Sequence, residues 1–229
     1  MSRRFKPLKR AVVLLSGGLD SATTLYLAQA RGYRCYALIL DYGQRHRKEV
    51  RAARRIARAA RVPVQLLPLR FPWGGSALTD SRISVPVGRS LRRIGRGIPS
   101  TYVPARNTIF LSLALGYAEA IGAGAVFIGA NAVDFSGYPD CRPSFYRAMQ
   151  RVFKQGTRTG AQGKSVRIMT PLIRMTKAQI IRLGKKLGVP YPWTWSCYQG
   201  RSRPCGRCDS CRIRAKGFRE AGLKDPALV

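Results

Sequence analysis

Apolar and polar positions alternate along the chain in blocks that predict strands and helices in turn. Ala11-Val12-Val13-Leu14-Leu15 is a short apolar run stopped by Ser16-Gly17-Gly18, and it reads as a buried parallel strand. Asp20 to Ala30 follows as a helix, with Leu25, Leu27 and Ala28 on its apolar side. A second strand spans Cys35 to Leu40. Arg45 to Arg61 has helical spacing, with Val50, Ala53, Ile56 and Ala60 on one face and arginines on the other. Val62 to Leu69 reads as a third strand.

From Arg70 to Pro99 the periodicity vanishes, and a structureless segment of that length inside a domain points to function or mobility. Pattern returns as a helix over Asn107 to Ile121, a strand over Ala125 to Gly129 and a helix over Ser144 to Lys154. A last strand over Val166 to Leu172 precedes a helix over Thr176 to Leu187, with Thr176 as its N-cap. Alternating strands and helices predict an α/β fold, a Rossmann-like parallel sheet flanked by helices, which binds ligands beyond the carboxyl ends of its strands. Residues 1–189 are expected to form this domain. From Pro190 the composition changes to Trp, Pro, Gly and clustered Cys, so residues 190–229 are expected to form a small subdomain packed on it.

Composition narrows the partners. With 229 residues and 45% hydrophobic content the chain can bury a real core. No run approaches the roughly 18–20 apolar residues of a membrane span. The apolar stretch after the basic N-terminus is too short for a signal peptide, so a soluble, cytoplasmic protein is expected. The 42 Lys and Arg against 10 Asp and Glu leave a net charge of +32. That surplus suits a polyanion or RNA partner, but it is spread along the chain and equally suits a solvated arginine-rich surface.

Ser16-Gly17-Gly18-Leu19-Asp20-Ser21 lies between the first strand and the first helix. Two glycines let the backbone turn closely around a phosphate, and the helix N-terminus behind them offers unpaired N–H groups. Ser16 and Ser21 can donate hydroxyl hydrogen bonds. Asp20 would repel phosphate and better serves to orient a Mg²⁺ that bridges phosphates. The candidate nucleotide-binding stretch is Leu15, Ser16, Gly17, Gly18, Leu19, Asp20, Ser21, Ala22, Thr23, Thr24 and Leu25. It lacks the Walker lysine and the third glycine of a dinucleotide fingerprint.

Further polar clusters follow the strands. Asp134, Asp140 and Arg142 fall in one Gly-bearing loop, where carboxylates can pair with a guanine-like base and Arg142 can grip a carboxylate. Arg106 and Asn107 can do the same or cap the helix behind them. His46, the sole histidine, reads as a packing residue or a catalyst. Lys177 reads as a solvated helix lysine more readily than as a phosphate ligand. Cys197, Cys205, Cys208 and Cys211 have the spacing of a tetrahedral four-cysteine site, with structural Zn²⁺ favoured and an iron–sulfur cluster as the rival. Cys35 reads as core.

The S-G-G-x-D-S loop resembles that of the PP-loop ATP pyrophosphatases. Four more stretches are similar to the 7-cyano-7-deazaguanine synthase (QueC) family: Asp41-Tyr42-Gly43-Gln44-Arg45-His46, Thr101-Tyr102-Val103-Pro104-Ala105-Arg106-Asn107, Gly129 to Arg142, and the cysteine cluster. That resemblance implies a PP-loop fold with a C-terminal zinc-binding subdomain. It also implies conversion of 7-carboxy-7-deazaguanine and ammonia to 7-cyano-7-deazaguanine with ATP, by a homodimer. Asp20, Ser21, Arg106 and His46 become candidate catalytic residues. Gln44, Arg45, Arg106, Asn107, Asp134, Tyr138, Asp140 and Arg142 become candidate substrate contacts. Two positions depart from the family's usual pattern: Ala105 stands where glycine precedes the Arg-Asn pair, and Ser144 where an acid follows Cys141-Arg142-Pro143. The competing readings are a PP-loop enzyme acting directly on tRNA and a non-enzymatic, zinc-containing nucleic-acid binder.

Overall fold

The computed structural model describes residues 9–94, 97–132 and 137–227. β1 (Lys9–Leu14) leads through α1 (Leu19–Ala30) to β2 (Tyr33–Asp41), α2 (Lys48–Ala59) and β3 (Val64–Pro68). After a long irregular segment come α3 (Arg106–Ala120), β4 (Ala125–Phe127), α4 (Pro143–Gln155), the short α5 (Arg158–Ala161) and β5 (Arg167–Met169). α6 (Lys177–Lys186) and α7 (Asp209–Ala221) follow. The strands pair in parallel in the order β3-β2-β1-β4-β5. Chain direction across the sheet therefore reverses between β1 and β4, which opens a crevice at their carboxyl ends.

The continuous apolar runs are explained by burial on both faces. Ala11, Val13 and Leu15 of the first strand region point into a core shared with Cys35, Ala37, Ile39, Leu25, Ile56, Ile181 and Phe218. Val12 and Leu14, one position out of step, join Leu38, Leu40, Leu111, Ala114, Met149 and Phe153 on the opposite side. Cys35 is core, as its place in the strand suggests. A strand of period two with helices on both sides has no polar face to offer.

Several elements differ from the sequence pattern. α2 starts at Lys48 rather than Arg45, because the Arg45 N–H is taken by the Leu78 carbonyl at 3.0 Å and its guanidinium by the Asp80 and Ile83 carbonyls. β5 covers only Arg167–Met169, and tight turns at Thr170 and Leu172 end it. α5 and α7 have no counterpart in the sequence reading. α7 buries Cys211, Arg214 and Phe218 at helical spacing, but the arginine among them hides the apolar stripe. Arg214 is satisfied by Asp225 (2.8 and 2.9 Å), the Thr194 hydroxyl and the Tyr191 carbonyl. The N-cap at Thr176 forms a full capping box with Gln179.

Residues 70–94 and 97–99 are irregular but not loose. Ser76, Ala77, Leu78 and Val85 are buried, and Val87 bridges to Cys208. Arg89 pairs with both carboxylate oxygens of Asp209 at the start of α7. The segment covers the cysteine cluster, a long-range task that leaves no periodic signature. No helix among the described residues is long and apolar enough to cross a membrane.

Candidate functional site

One cleft of about 260 Å³ lies over the β1–β4 crevice. The turn after β1 lines it. Its glycines answer different needs. Gly17 has φ +87°, and a Cβ there would stand 2.3 Å from the Glu49 carbonyl oxygen and 2.7 Å from the Ala53 nitrogen, so the turn sits hard against α2. Gly129, just past β4, lies so close to α1 that a Cβ would meet the Asp20 carbonyl carbon and the Ser21 nitrogen at 3.0 Å. Strand ends and helix start are therefore locked together before any ligand arrives.

Ser16, Gly18, Leu19, Asp20 and Ser21 line the cleft, along with Leu15. The Ser16 and Ser21 hydroxyls are 3.0 Å apart, and Ser21 Oγ also donates to the Gly18 carbonyl. The first-turn N–H groups of α1 add donors that no helix carbonyl can satisfy. Ala22 and Leu25 sit in the core, while Thr23 and Thr24 donate back to the Leu19 and Asp20 carbonyls. These four, with Gly17, support the turn from behind.

Asp20 Oδ2 accepts from Lys177 Nζ at 2.6 Å and from Asn131 Nδ2 at 3.2 Å, whereas its Oδ1 is buried without a hydrogen-bond partner. Lys177 is thus no solvated lysine. Its side chain is 12% exposed and lines the cleft. The capping box at Thr176 fixes the first turn of α6, and Lys177 is the first residue of that turn. The sequence signal is present in that cap, but only the packing of α6 beside α1 gives it meaning.

The same cleft is lined by Tyr42, Gln44, His46, Arg106, Asn107, Phe110 and Tyr138. Gln44 accepts from the Tyr42 N–H, and Tyr138 shares a hydrogen with Thr101 at 2.8 Å. Asn107 is held by Asp140: its backbone N–H donates to Oδ2 at 3.2 Å and its amide to the Asp140 carbonyl at 3.0 Å. Asp140 therefore caps the start of α3 and does not itself line the cleft. Burial disfavours the Arg106 charge, but Tyr42, Cys141, Asp140 and Tyr138 around it more than offset this, and its guanidinium is held above the usual arginine value. Arg45 is turned to the 70–99 segment and Arg142 is exposed at the N-cap of α4, so neither lines the cleft. Asp134 lies outside the described residues.

The four sulfurs of Cys197, Cys205, Cys208 and Cys211 all lie within 4.8 Å of one another. A tetrahedral ion with metal–sulfur bonds of about 2.3 Å sets its thiolates roughly 3.8 Å apart, so the cluster fits a single ion. N–H groups of Cys205 and Cys208 point at Cys197 and Cys205 sulfurs at 3.3 Å, as electron-rich thiolates require. Trp195 joins the cysteine cluster to the turn after β1. Trp195 donates its indole N–H to the Cys197 carbonyl at 2.9 Å and its backbone N–H to the Gly17 carbonyl at 2.9 Å.

Residues 10–222 match the model of the family described as Queuosine biosynthesis protein QueC. The chain belongs to the QueC family. It is 58% identical over 220 residues to the 7-cyano-7-deazaguanine synthase of Thermosynechococcus vestitus, covering 95% of this chain and 94% of that one. It is 56% identical over 233 residues to the synthase of Anaeromyxobacter dehalogenans, with 99% and 98% covered. Among solved structures, the NMN synthetase of Francisella tularensis shares the fold, with a TM-score of 0.50 at 19% identity over 97% of this chain and 82% of that one.

One departure from the QueC pattern is visible in the backbone. Ala105 adopts φ 55° and ψ 19°, the left-handed region that glycine occupies freely. A β-carbon there costs about 1–2 kcal/mol. The strained residue immediately precedes Arg106, and the turn it makes aims that guanidinium toward Tyr42 and Tyr138.

Proposed function

We propose that this chain makes 7-cyano-7-deazaguanine from 7-carboxy-7-deazaguanine and ammonia, using ATP. The activity is the one its QueC relatives are named for. The observation that carries the reading is that one cleft is lined both by the Ser16–Ser21 turn and by Arg106, Asn107 and Tyr138. A nucleotide and a planar acid can meet there at the topological switch point.

Acid, amide and nitrile share one oxidation level at carbon, so the route is two dehydrations. Ser16, Ser21 and the first-turn N–H groups of α1 hold the outer phosphates, and Lys177 neutralises charge on departing pyrophosphate. Arg106 orients the carboxylate, whose oxygen attacks the α-phosphorus. Ammonia then displaces AMP to give the amide. Transfer of a second adenylyl group to the amide oxygen allows AMP to leave with formation of the nitrile. Asp20, with one buried and unpartnered oxygen, fits as the holder of a Mg²⁺ that would add charge neutralisation at the phosphates. The four cysteines fit a structural Zn²⁺, because four protein thiolates fill a tetrahedral ion and leave no site for a reactant.

Under this reading residues 1–189 form the nucleotide-binding domain and residues 190–229 the zinc-binding subdomain of a cytoplasmic homodimer. The net charge of +32 is compatible with RNA contact as a second property. The test is incubation of the purified protein with ATP, ammonium and the free carboxylic base, with the product followed by mass spectrometry. Nitrile formed without RNA supports the reading. A strict requirement for RNA would transfer the activity to a tRNA-bound substrate.

A further inference from the structure

His46 is buried to 2% exposure although it lies in a polar turn between β2 and α2. Its Nε2 stands 3.0 Å from Glu49 Oε2, one turn along the chain. With a carboxylate this close to Nε2, the hydrogen of a neutral imidazole is favoured on Nε2 and the lone pair on Nδ1. That Nδ1 is buried and has no hydrogen-bond partner. Both His46 and Glu49 line the cleft described above. A buried acceptor without a donor calls for an explanation, and a ligand that donates N–H is the simplest one.

The backbone at His46 is held in place by its neighbours. Arg45, before it, is tied to the Asp80 and Ile83 carbonyls. Gly200 packs so closely that a Cβ there would meet the Arg45 carbonyl oxygen at 2.6 Å and the His46 Cα at 3.5 Å. The charged and titratable groups around the ring are Glu49 from α2 and Tyr198 from the C-terminal segment, whose ring centroid is 5.7 Å away. Arg45 is directed as above, Lys48 Nζ donates to the Ser202 carbonyl, and Asp20 and Lys177 pair with each other elsewhere along the cleft.

We propose that His46 is the base that converts bound ammonium to ammonia, with Glu49 as the positioning residue that fixes its ring. This rests on the reading of the chain as an ATP-dependent amidating enzyme. Ammonium is the dominant form at neutral pH and has no lone pair with which to attack. His46 Nδ1 takes one proton from it. The freed nitrogen lone pair forms the C–N bond to the adenylated carbonyl, and the C–O bond to AMP breaks with its electrons going to the phosphate oxygen. The second surplus proton on nitrogen leaves to that phosphate. Glu49 offsets the positive charge that the imidazole gains.

Three measurements on His46→Gln decide the matter. ATP–pyrophosphate exchange driven by the carboxylic base reports adenylation alone, and it should stay within a few-fold of the native protein. Amide formation from ammonium at neutral pH should fall by about 100-fold or more, the usual span for a lost general base. That residual rate should then climb about tenfold per pH unit, following free ammonia. Hydroxylamine arrives uncharged at neutral pH, so hydroxamate formation should be nearly native in the variant. Equal losses with ammonium and hydroxylamine would overturn the proposal. If His46→Gln also loses exchange, Glu49→Gln is read in the same three ways. A loss confined to ammonium supports the pair, and a uniform loss rejects it. Absence of exchange in the native protein would instead count against the parent reading of an adenylating enzyme.

Discussion

Lys177 Nζ lies 2.6 Å from Asp20 Oδ2, joining the first turn of α6 to the first turn of α1 across 157 positions of sequence. The pair places a cation and an anion at the turn after β1, where both are partly shielded from water and each limits the other's field. A nucleotide entering there brings its own negative charge. Lys177 can then follow the phosphates, while Asp20 is released to hold a cation.

Lys177→Met should remove about 10²–10³ of the rate of pyrophosphate release, the range seen when one donor to developing charge is lost. The fold should survive, because Thr176 and Gln179 cap α6 without the lysine. ATP–pyrophosphate exchange checks the rate, and a thermal melt checks the fold.

Gly17→Ala should be far more damaging than its size suggests. The added methyl meets the Glu49 carbonyl and Ala53 nitrogen in a backbone conformation that alanine resists. Left-handed strain and overpacking together should cost at least about 2 kcal/mol, visible in urea denaturation. Nucleotide binding should disappear with it, since the turn can relieve the clash only by moving.

Ala105→Gly should have the opposite sign. It relieves φ 55° at a position that is exposed and packs little, for a gain of about 1 kcal/mol or roughly 2–4 °C in melting temperature. A less strained turn also leaves Arg106 freer, so the affinity for the carboxylic base should drop slightly.

Stripping metal with a strong chelator should lower stability by a few kcal/mol, about 10 °C, because the sheet's own core remains. It should also weaken ATP binding. Trp195 connects the Cys197 carbonyl to the Gly17 carbonyl, so loosening the cysteine cluster loosens the phosphate turn. Calorimetric titration of nucleotide into stripped and zinc-restored protein checks the coupling.

Alkaline stability should fall in a defined window. Burial, only partly countered by the Thr23 hydrogen bond, pushes the Tyr191 phenol up to about 12 from 10.0. Burial likewise pushes the Cys35 thiol up to about 12 from 9.0. Both groups are protonated in the folded chain while the unfolded chain can already ionise. Their contribution is complete below the unfolded values and is lost as pH rises from about 9–10 through 12. Tyr191→Phe should remove the tyrosine part of that slope in alkaline melts.

Local pattern makes the strands and most helices legible. Ala11 to Leu15 and Cys35 to Leu40 are short apolar runs, and β1 and β2 follow from them; Thr176 announces the start of α6. The Ser16–Ser21 turn between β1 and α1 and the cysteine cluster are equally plain, since each is a few adjacent residues whose geometry is set by their order. α7 is not legible, because Arg214 breaks its apolar stripe and its partners, Asp225, Thr194 and Tyr191, are brought to it only by the fold. Segment 70–99 reads as structureless for a related reason: its order comes from Val87 against Cys208 and Arg89 against Asp209, contacts that no period encodes.

The sequence by itself determined the sheet, the turn that can hold phosphate and the thiolate set, because backbone preference and ligand spacing act over a few residues. Tertiary structure alone decided which charges share the cleft. It drew Lys177 to Asp20, set Asp140 to hold Asn107 rather than line the cleft, turned Arg45 away from it, and buried His46 against Glu49 with one nitrogen unpaired. Such choices depend on distances between segments far apart in the chain, and those distances exist only once the helices have packed on the sheet.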